Sequence, residues 1–122
     1  MRSKPEGADR IHDVRLELQK KHHKLLGKHG WPGVGEGWLP IIDRLCTALQ
    51  LDIDLNKTEQ VEVMQIKEKF GGLRFYTGPA TKEQHDLINK AEKEADATCD
   101  VCGEPGKLRH GNWMVTRCDA HA

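Results

Sequence analysis

Cys99-Asp-Val-Cys102, an interval of fifteen residues, and Cys118-Asp-Ala-His121 place three thiols and one imidazole at the spacing that a single tetrahedral metal ion requires. A Cys-x2-Cys knuckle turns two sulfurs toward one point, and a second pair brought back by a chain reversal closes the tetrahedron. Soft sulfur donors with one imidazole select zinc. Between the pairs run Gly103 to Arg117, a turn and two short extended stretches that reverse near Gly111-Asn112, which predicts a zinc-ribbon-like element over residues 99–122. So short a segment builds no core of its own, and metal binding must supply its folding energy. A catalytic zinc keeps one position open for water, whereas Cys99, Cys102, Cys118 and His121 fill all four, so Zn2+ is expected to be structural. His110 is an alternative fourth ligand, although Cys118-x2-His121 is the better geometry.

A chain of 122 residues accommodates one domain, here a helical and β-hairpin core over residues 1–98 with the ribbon packed on it. Lys plus Arg and Asp plus Glu balance at 19 each, so no global positive field draws the chain to nucleic acid; any such binding must come from a local patch. The N-terminus lacks an apolar signal core, and no run approaches the roughly 20 apolar residues that span a bilayer. A soluble, cytosolic protein with no membrane partner is expected. Thiols in that compartment stay reduced, which leaves Cys46, outside the zinc pattern, as a small core residue.

Ile11, Val14, Leu18 and Leu25 line one face of a helix predicted from about Asp9 to Leu26, with Gly27 as its stop. Its other face carries Arg15, Lys20, Lys21, His22, His23 and Lys24, a solvated basic cluster near a helix C-terminus. The glycine-rich stretch from His29 to Trp38 reads as a loop whose Trp31 and Trp38 plug into the core; it has no phosphate-loop spacing. Ile42, Leu45, Cys46 and Leu49 mark a second helix, about Trp38 to Gln50, that tolerates Pro40 in its first turn. From Gln60 to Thr77 strand formers dominate. Val61 and Val63 alternate with polar neighbours, the alternation shifts between Met64 and Ile66, and Gly71-Gly72 predicts the turn of a hairpin; the run Phe70 to Tyr76 is also open to reading as an aromatic platform for bases, but it lacks the ribonucleoprotein signature, and core and turn are expected. Thr81-Lys-Glu-Gln84 is a capping box opening a third helix with Leu87, Ile88, Ala91 and Ala95 on its apolar face. The fold class is therefore α+β, with helices covering one face of a small antiparallel sheet.

Enzymatic readings find little support in the residues. A nucleobase deaminase needs His-x-Glu and a proline before the Cys-x-x-Cys, and neither occurs. A zinc-dependent nuclease is echoed only faintly by Arg109-His110-Gly-Asn112. Cys46 as a nucleophile would need a histidine supplied by the fold. His22 and His23 point about 100° apart on a helix, which disfavours a shared ion.

Gly37-Trp38, Leu45-Cys46, the run Lys67 to Tyr76 (Lys-Glu-Lys-Phe-Gly-Gly-Leu-Arg-Phe-Tyr), Thr98-Cys-x-x-Cys-Gly-x-Pro-Gly106 and Trp113 through Thr116-x-Cys118-Asp-x-His121 together resemble a family of small zinc-binding proteins carried by bacteriophages and prophages. The resemblance covers most of the chain from Gly37 onward. It implies a phage accessory protein in the bacterial host cytosol, working without catalysis by binding a host protein or ribonucleoprotein complex, such as a restriction or CRISPR effector; the function expected first is thus that of a host-defence inhibitor, an anti-CRISPR. The acidic stretch from Glu92 to Asp96 would suit engagement of a basic or RNA-loaded surface. The competing expectation is direct nucleic-acid binding, with Lys20, Lys21, Lys24, Lys67, Lys69, Arg74, Lys107, Arg109 and Arg117 as phosphate contacts. Those cations gathered on one face would favour the second, and their dispersal the first.

Overall fold

The computed structural model describes residues 8–122, and the side chains of residues 10–122. Residues 1–7 of the expected 1–98 core lie outside the described residues. The fold is α+β: four α-helices and two antiparallel two-stranded hairpins in the order α1 (Ala8–Lys21), α2 (His23–Leu26), α3 (Leu39–Asn56), β1 (Val63–Lys69), β2 (Gly72–Thr77), α4 (Lys82–Asp96), β3 (Lys107–Arg109) and β4 (Val115–Arg117), among the described residues.

The first predicted helix is broken. At His22 the backbone leaves helical values (φ −109°, ψ 41°), and the chain restarts as the single turn α2. The His22 ring turns in toward α3, its side chain only 8% exposed, and its Nε2 lies 2.7 Å from Asp43 Oδ1. The Gln19 amide donates to the Leu26 carbonyl at 3.0 Å, which also accepts from the Gly30 N–H at 3.1 Å, and so ties α1 to the end of α2. These tertiary bonds replace local continuation of the helix, and they remove His22 from the solvated cluster expected of it. Leu18, Leu25 and Leu26 are buried as the periodicity requires, whereas Val14 is exposed and lines an open hollow against α3. Arg15 is not a solvated cation either: its guanidinium donates to the Val34 carbonyl at 2.6 and 3.2 Å and holds the glycine-rich loop against α1.

Helix α3 begins with Pro40 in its first turn and runs past the expected Gln50, because Ile53 continues the buried stripe of Ile42, Leu45, Cys46 and Leu49. Helix α4 opens with the capping box read from the sequence: the Gln84 N–H donates to the Thr81 hydroxyl at 3.2 Å, and the Thr81 N–H donates to Gln84 Oε1 at 2.8 Å. The buried Gln84 amide also donates to Asp52 and Thr58, both at 3.0 Å, which ties α4 to the end of α3.

Between α3 and α4, Val63, Ile66, Leu73 and Phe75 bury the inner face of the β1–β2 hairpin. A bulge lies between Val63 and Gln65, where the sequence alternation shifts. The reversal sits one residue earlier than expected. Lys69 pairs with Gly72, so the two-residue loop is Phe70-Gly71, and both adopt positive φ (55° and 83°), the pattern of a type I′ turn. Both edges of the hairpin are covered: the Phe75 N–H donates to Glu92 of α4 at 2.9 Å, and Ile66 of β1 bridges to Pro32.

Candidate metal centre

The first knuckle follows α4 directly, and the second is formed by β4 and the short 3-10 turn Asp119–His121. Together they bring one ligand atom each from Cys99, Cys102, Cys118 and His121 within 4.8 Å of one another. Cys102 Sγ and Cys118 Sγ are 3.7 Å apart, and His121 Nδ1 stands 3.2 Å from Cys118 Sγ and 3.8 Å from Cys99 Sγ. Sulfurs bound at about 2.3 Å to one tetrahedral zinc stand about 3.8 Å apart, and sulfur to nitrogen is slightly shorter. The edges therefore fit zinc, and they are far too long for a disulfide; all cysteines are free thiols. His121 offers Nδ1 as the fourth ligand atom of the cluster. His110 lies exposed in the loop after β3 and belongs to no metal-ligating cluster among the described residues.

The electrostatics of the cluster are those of a cation site. Burial opposes ionisation of Cys99, but backbone N–H groups of Cys118, Cys102 and Val101 override it and depress the thiol to about 6. At Cys102 the Glu104 N–H favours the thiolate; partial desolvation and the neighbouring sulfurs of Cys99 and Cys118 prevail and raise it. Crowded sulfurs that compete for ionisation are what a divalent ion relieves. A bound zinc would supply folding energy there and, with four protein donors, no open position for water.

The glycine-rich loop exists to seat the first knuckle. The Gly37 N–H donates to the Asp100 carbonyl at 3.0 Å, and a Cβ on Gly37 would stand 2.1 Å from the Cys99 carbonyl oxygen and 2.6 Å from the Gly103 nitrogen. Only a residue without a side chain allows two backbones this close. Beside it the fully buried Trp38 donates its indole N–H to the Thr98 carbonyl at 2.8 Å. Trp31, also expected in the core, is half-buried and stacks obliquely on His12 at 5.2 Å. Arg117 reaches Asp100 at 3.0 Å and so links the two knuckles, and Arg109 pairs with Asp119 at 2.7 Å. On the opposite face of the ribbon the buried Thr116 hydroxyl donates to the Gly71 carbonyl at 2.7 Å, joining the ribbon to the β1–β2 turn.

The nine cations expected to contact phosphate do not form one footprint. Lys20, Lys21 and Lys24 sit at the α1–α2 junction, where Lys21 pairs with Asp43 at 3.0 Å. Lys67, Lys69 and Arg74 share the outer face of the hairpin. Lys107 and Arg117 are cross-strand neighbours on the ribbon, and Arg109 and Arg117 are committed to aspartates. The acidic stretch of α4 is partly spent as well, since Glu92 caps β2 and Glu94 pairs with Arg44. Cys46 is fully buried on α3, and burial, aided by Asp43, pushes its thiol up to about 12, which makes it a poor nucleophile. No described helix is long and apolar enough to cross a membrane. Compared with protein families, curated proteins and solved structures, the chain matches none.

Proposed function

We propose that this chain is a non-catalytic, zinc-stabilised phage protein that binds a host nucleoprotein complex and blocks it, a CRISPR-type defence effector being the target toward which the resemblance points. The observation that carries this reading is a set of exposed rings and apolar side chains, Phe70 and Leu108 at the junction of hairpin and ribbon, Trp113 on the ribbon loop and Tyr76 farther along β2. Phe70 and Trp113 are 67% and 83% exposed, and Tyr76 and Leu108 about 40%. Large aromatic groups held out from a rigid scaffold are the usual anchors of protein interfaces. The dispersal of the cations also favours a compact contact over a long phosphate track. The nuclease reading loses ground, because His110 and Asn112 lie exposed on the ribbon loop and His110 joins no metal-ligating cluster among the described residues.

Affinity capture from bacterial lysate with the tagged, zinc-loaded chain tests the proposal. A defined protein complex retained after nuclease treatment, and lost with Trp113→Ala, supports it. Recovery of nuclease-sensitive material alone refutes it.

A further inference from the structure

Outer-face residues of the β1–β2 hairpin follow from the register: Gln65, Lys67 and Lys69 on β1 stand opposite Tyr76, Arg74 and Gly72 on β2. By register that face holds three cations, while the neighbouring carboxylates are Glu68, which accepts from the Gly71 N–H at 2.6 Å, and Asp96, which lines the hollow beside Lys69, Phe70 and Arg74. Lys67, Lys69 and Arg74 form no ion pair among the described residues, in contrast to Lys21, Arg109 and Arg117. Gly72 leaves room for the Arg74 guanidinium, whose Nη1 would lie 2.9 Å from a Cβ there, so Arg74 folds toward the turn. An ammonium lies over each ring of this face: Lys67 Nζ is 5.9 Å from the Tyr76 centroid and Lys69 Nζ 5.7 Å from that of Phe70, cation–π contacts that a stacking base would displace. Phe70 occupies a left-handed turn position, φ 55°, that asparagine or glycine fills at lower cost, and its ring points out rather than in. The turn accounts for the positive φ but not for the choice of an exposed phenylalanine there, which points to a contact.

We infer that this face binds single-stranded nucleic acid, with Phe70 and Tyr76 as stacking platforms and Lys67, Lys69 and Arg74 on the phosphates. Bases must be unpaired to expose their faces to such rings, and ammonium groups flanking each platform meet the backbone of the stacked nucleotide. A duplex offers phosphates but no free base face. Such binding deepens the proposed function, resting on the same contact surface, since the strand would be the one a host nucleoprotein complex exposes.

Fluorescence anisotropy on the zinc-loaded full chain decides the matter, using labelled oligo(dT) and oligo(U) and a duplex of equal length over a range of salt. Single strands are expected to bind more tightly than duplex, with a log–log salt slope near −2 from about three phosphates at about 0.7 each. Phe70→Gly, which relieves the turn, should keep zinc content and melting temperature at or above the parent while weakening single-strand binding about five- to a hundred-fold. Lys67→Ser with Lys69→Ser should flatten the slope by more than one unit, and Lys93→Ser on α4 should change nothing. Equal affinity for duplex, full affinity in Phe70→Gly, or competition by polyglutamate as effective as by oligonucleotide would each overturn the inference, the last reassigning the face to an acidic protein surface. Absence of oligonucleotide binding at low salt also overturns it, yet leaves capture of a nuclease-resistant complex to stand or fall separately.

Discussion

Replacing Thr116 with valine keeps the volume of a fully buried side chain and deletes the one hydroxyl that joins the ribbon to the hairpin turn. The hydroxyl donates to the Gly71 carbonyl at 2.7 Å, and both residues are buried, so water cannot replace the donor. Loss of the bond together with a stranded carbonyl costs about 1–3 kcal/mol. For 122 residues that corresponds to roughly 4 °C per kcal/mol, or a fall of about 4–12 °C in Tm. The assay is thermal melting of parent and Thr116→Val, each with saturating zinc and with a chelator. If metal holds the ribbon in place, the penalty is large in the zinc-loaded pair and vanishes in the chelated pair, where β4 no longer sits on Gly71. Equal penalties in the two conditions would refute the claim that the ribbon's docking depends on its metal.

Gly37→Ala should lower zinc affinity and stability together, since the new methyl meets the Cys99 carbonyl and the Gly103 nitrogen and one backbone must move; a cost of about 1–3 kcal/mol with parallel loss of metal is expected, and unchanged zinc retention would contradict the proposed seating of the knuckle. Thiol titration with an aromatic disulfide should find no fast-reacting group in the zinc-loaded protein, three after chelation, and Cys46 only in denaturant, its thiol being pushed up to about 12 by burial. Asp43 loses some ionisation to burial but gains more from hydrogen bonds of His22 and Lys21, so its carboxyl titrates below the ordinary 3.8. A depressed carboxyl contributes stability that is present above 3.8 and lost as pH falls through its folded value, so Asp43→Asn should show a shallower loss of stability below about pH 4 than the parent in denaturant melts. An identical acid limb in both would remove Asp43 from the account.

Signals that depend on local chemistry were legible in the sequence. The Thr81 capping box, the buried stripe of α3 and the irregularity near Met64 rest on spacing within one element or loop, and the two Cys/His pairs on short local spacings that the structure brings together as one cluster able to hold a metal. What escaped depends on contacts between distant segments. Nothing near His22 announces that Asp43, 21 residues on, will draw its ring inward and interrupt the helix. The glycines at 35 and 37 read only as part of a loop anchored by two tryptophans, because the carbonyls they admit belong to residues 99 and 100. The hairpin turn slipped by one residue for a different reason: Gly-Gly is the better turn on local preference, and the pairing of Lys69 with Gly72 places Phe70 in the left-handed position instead.

The position of the turn connects the candidate metal centre to the exposed Phe70 ring. Between the Cys99–Cys102 knuckle and the Phe70 turn lies a short chain of bonded groups. The Asp100 N–H of the first knuckle donates to the Thr116 carbonyl at 3.0 Å, and the Thr116 hydroxyl in turn donates to the carbonyl of Gly71, the second residue of the turn. A Cβ on Gly71 would stand 2.6 Å from Leu108 Cδ1, so the ribbon's β3 also presses on this residue. Gly71 held from one side by hydrogen bonding and from the other by packing fixes the positive φ of its neighbour Phe70, which a free two-stranded hairpin would not retain against the cost of the left-handed region. A metal held by Cys99, Cys102, Cys118 and His121 would thus preorganise the Phe70 ring through the ribbon that it folds.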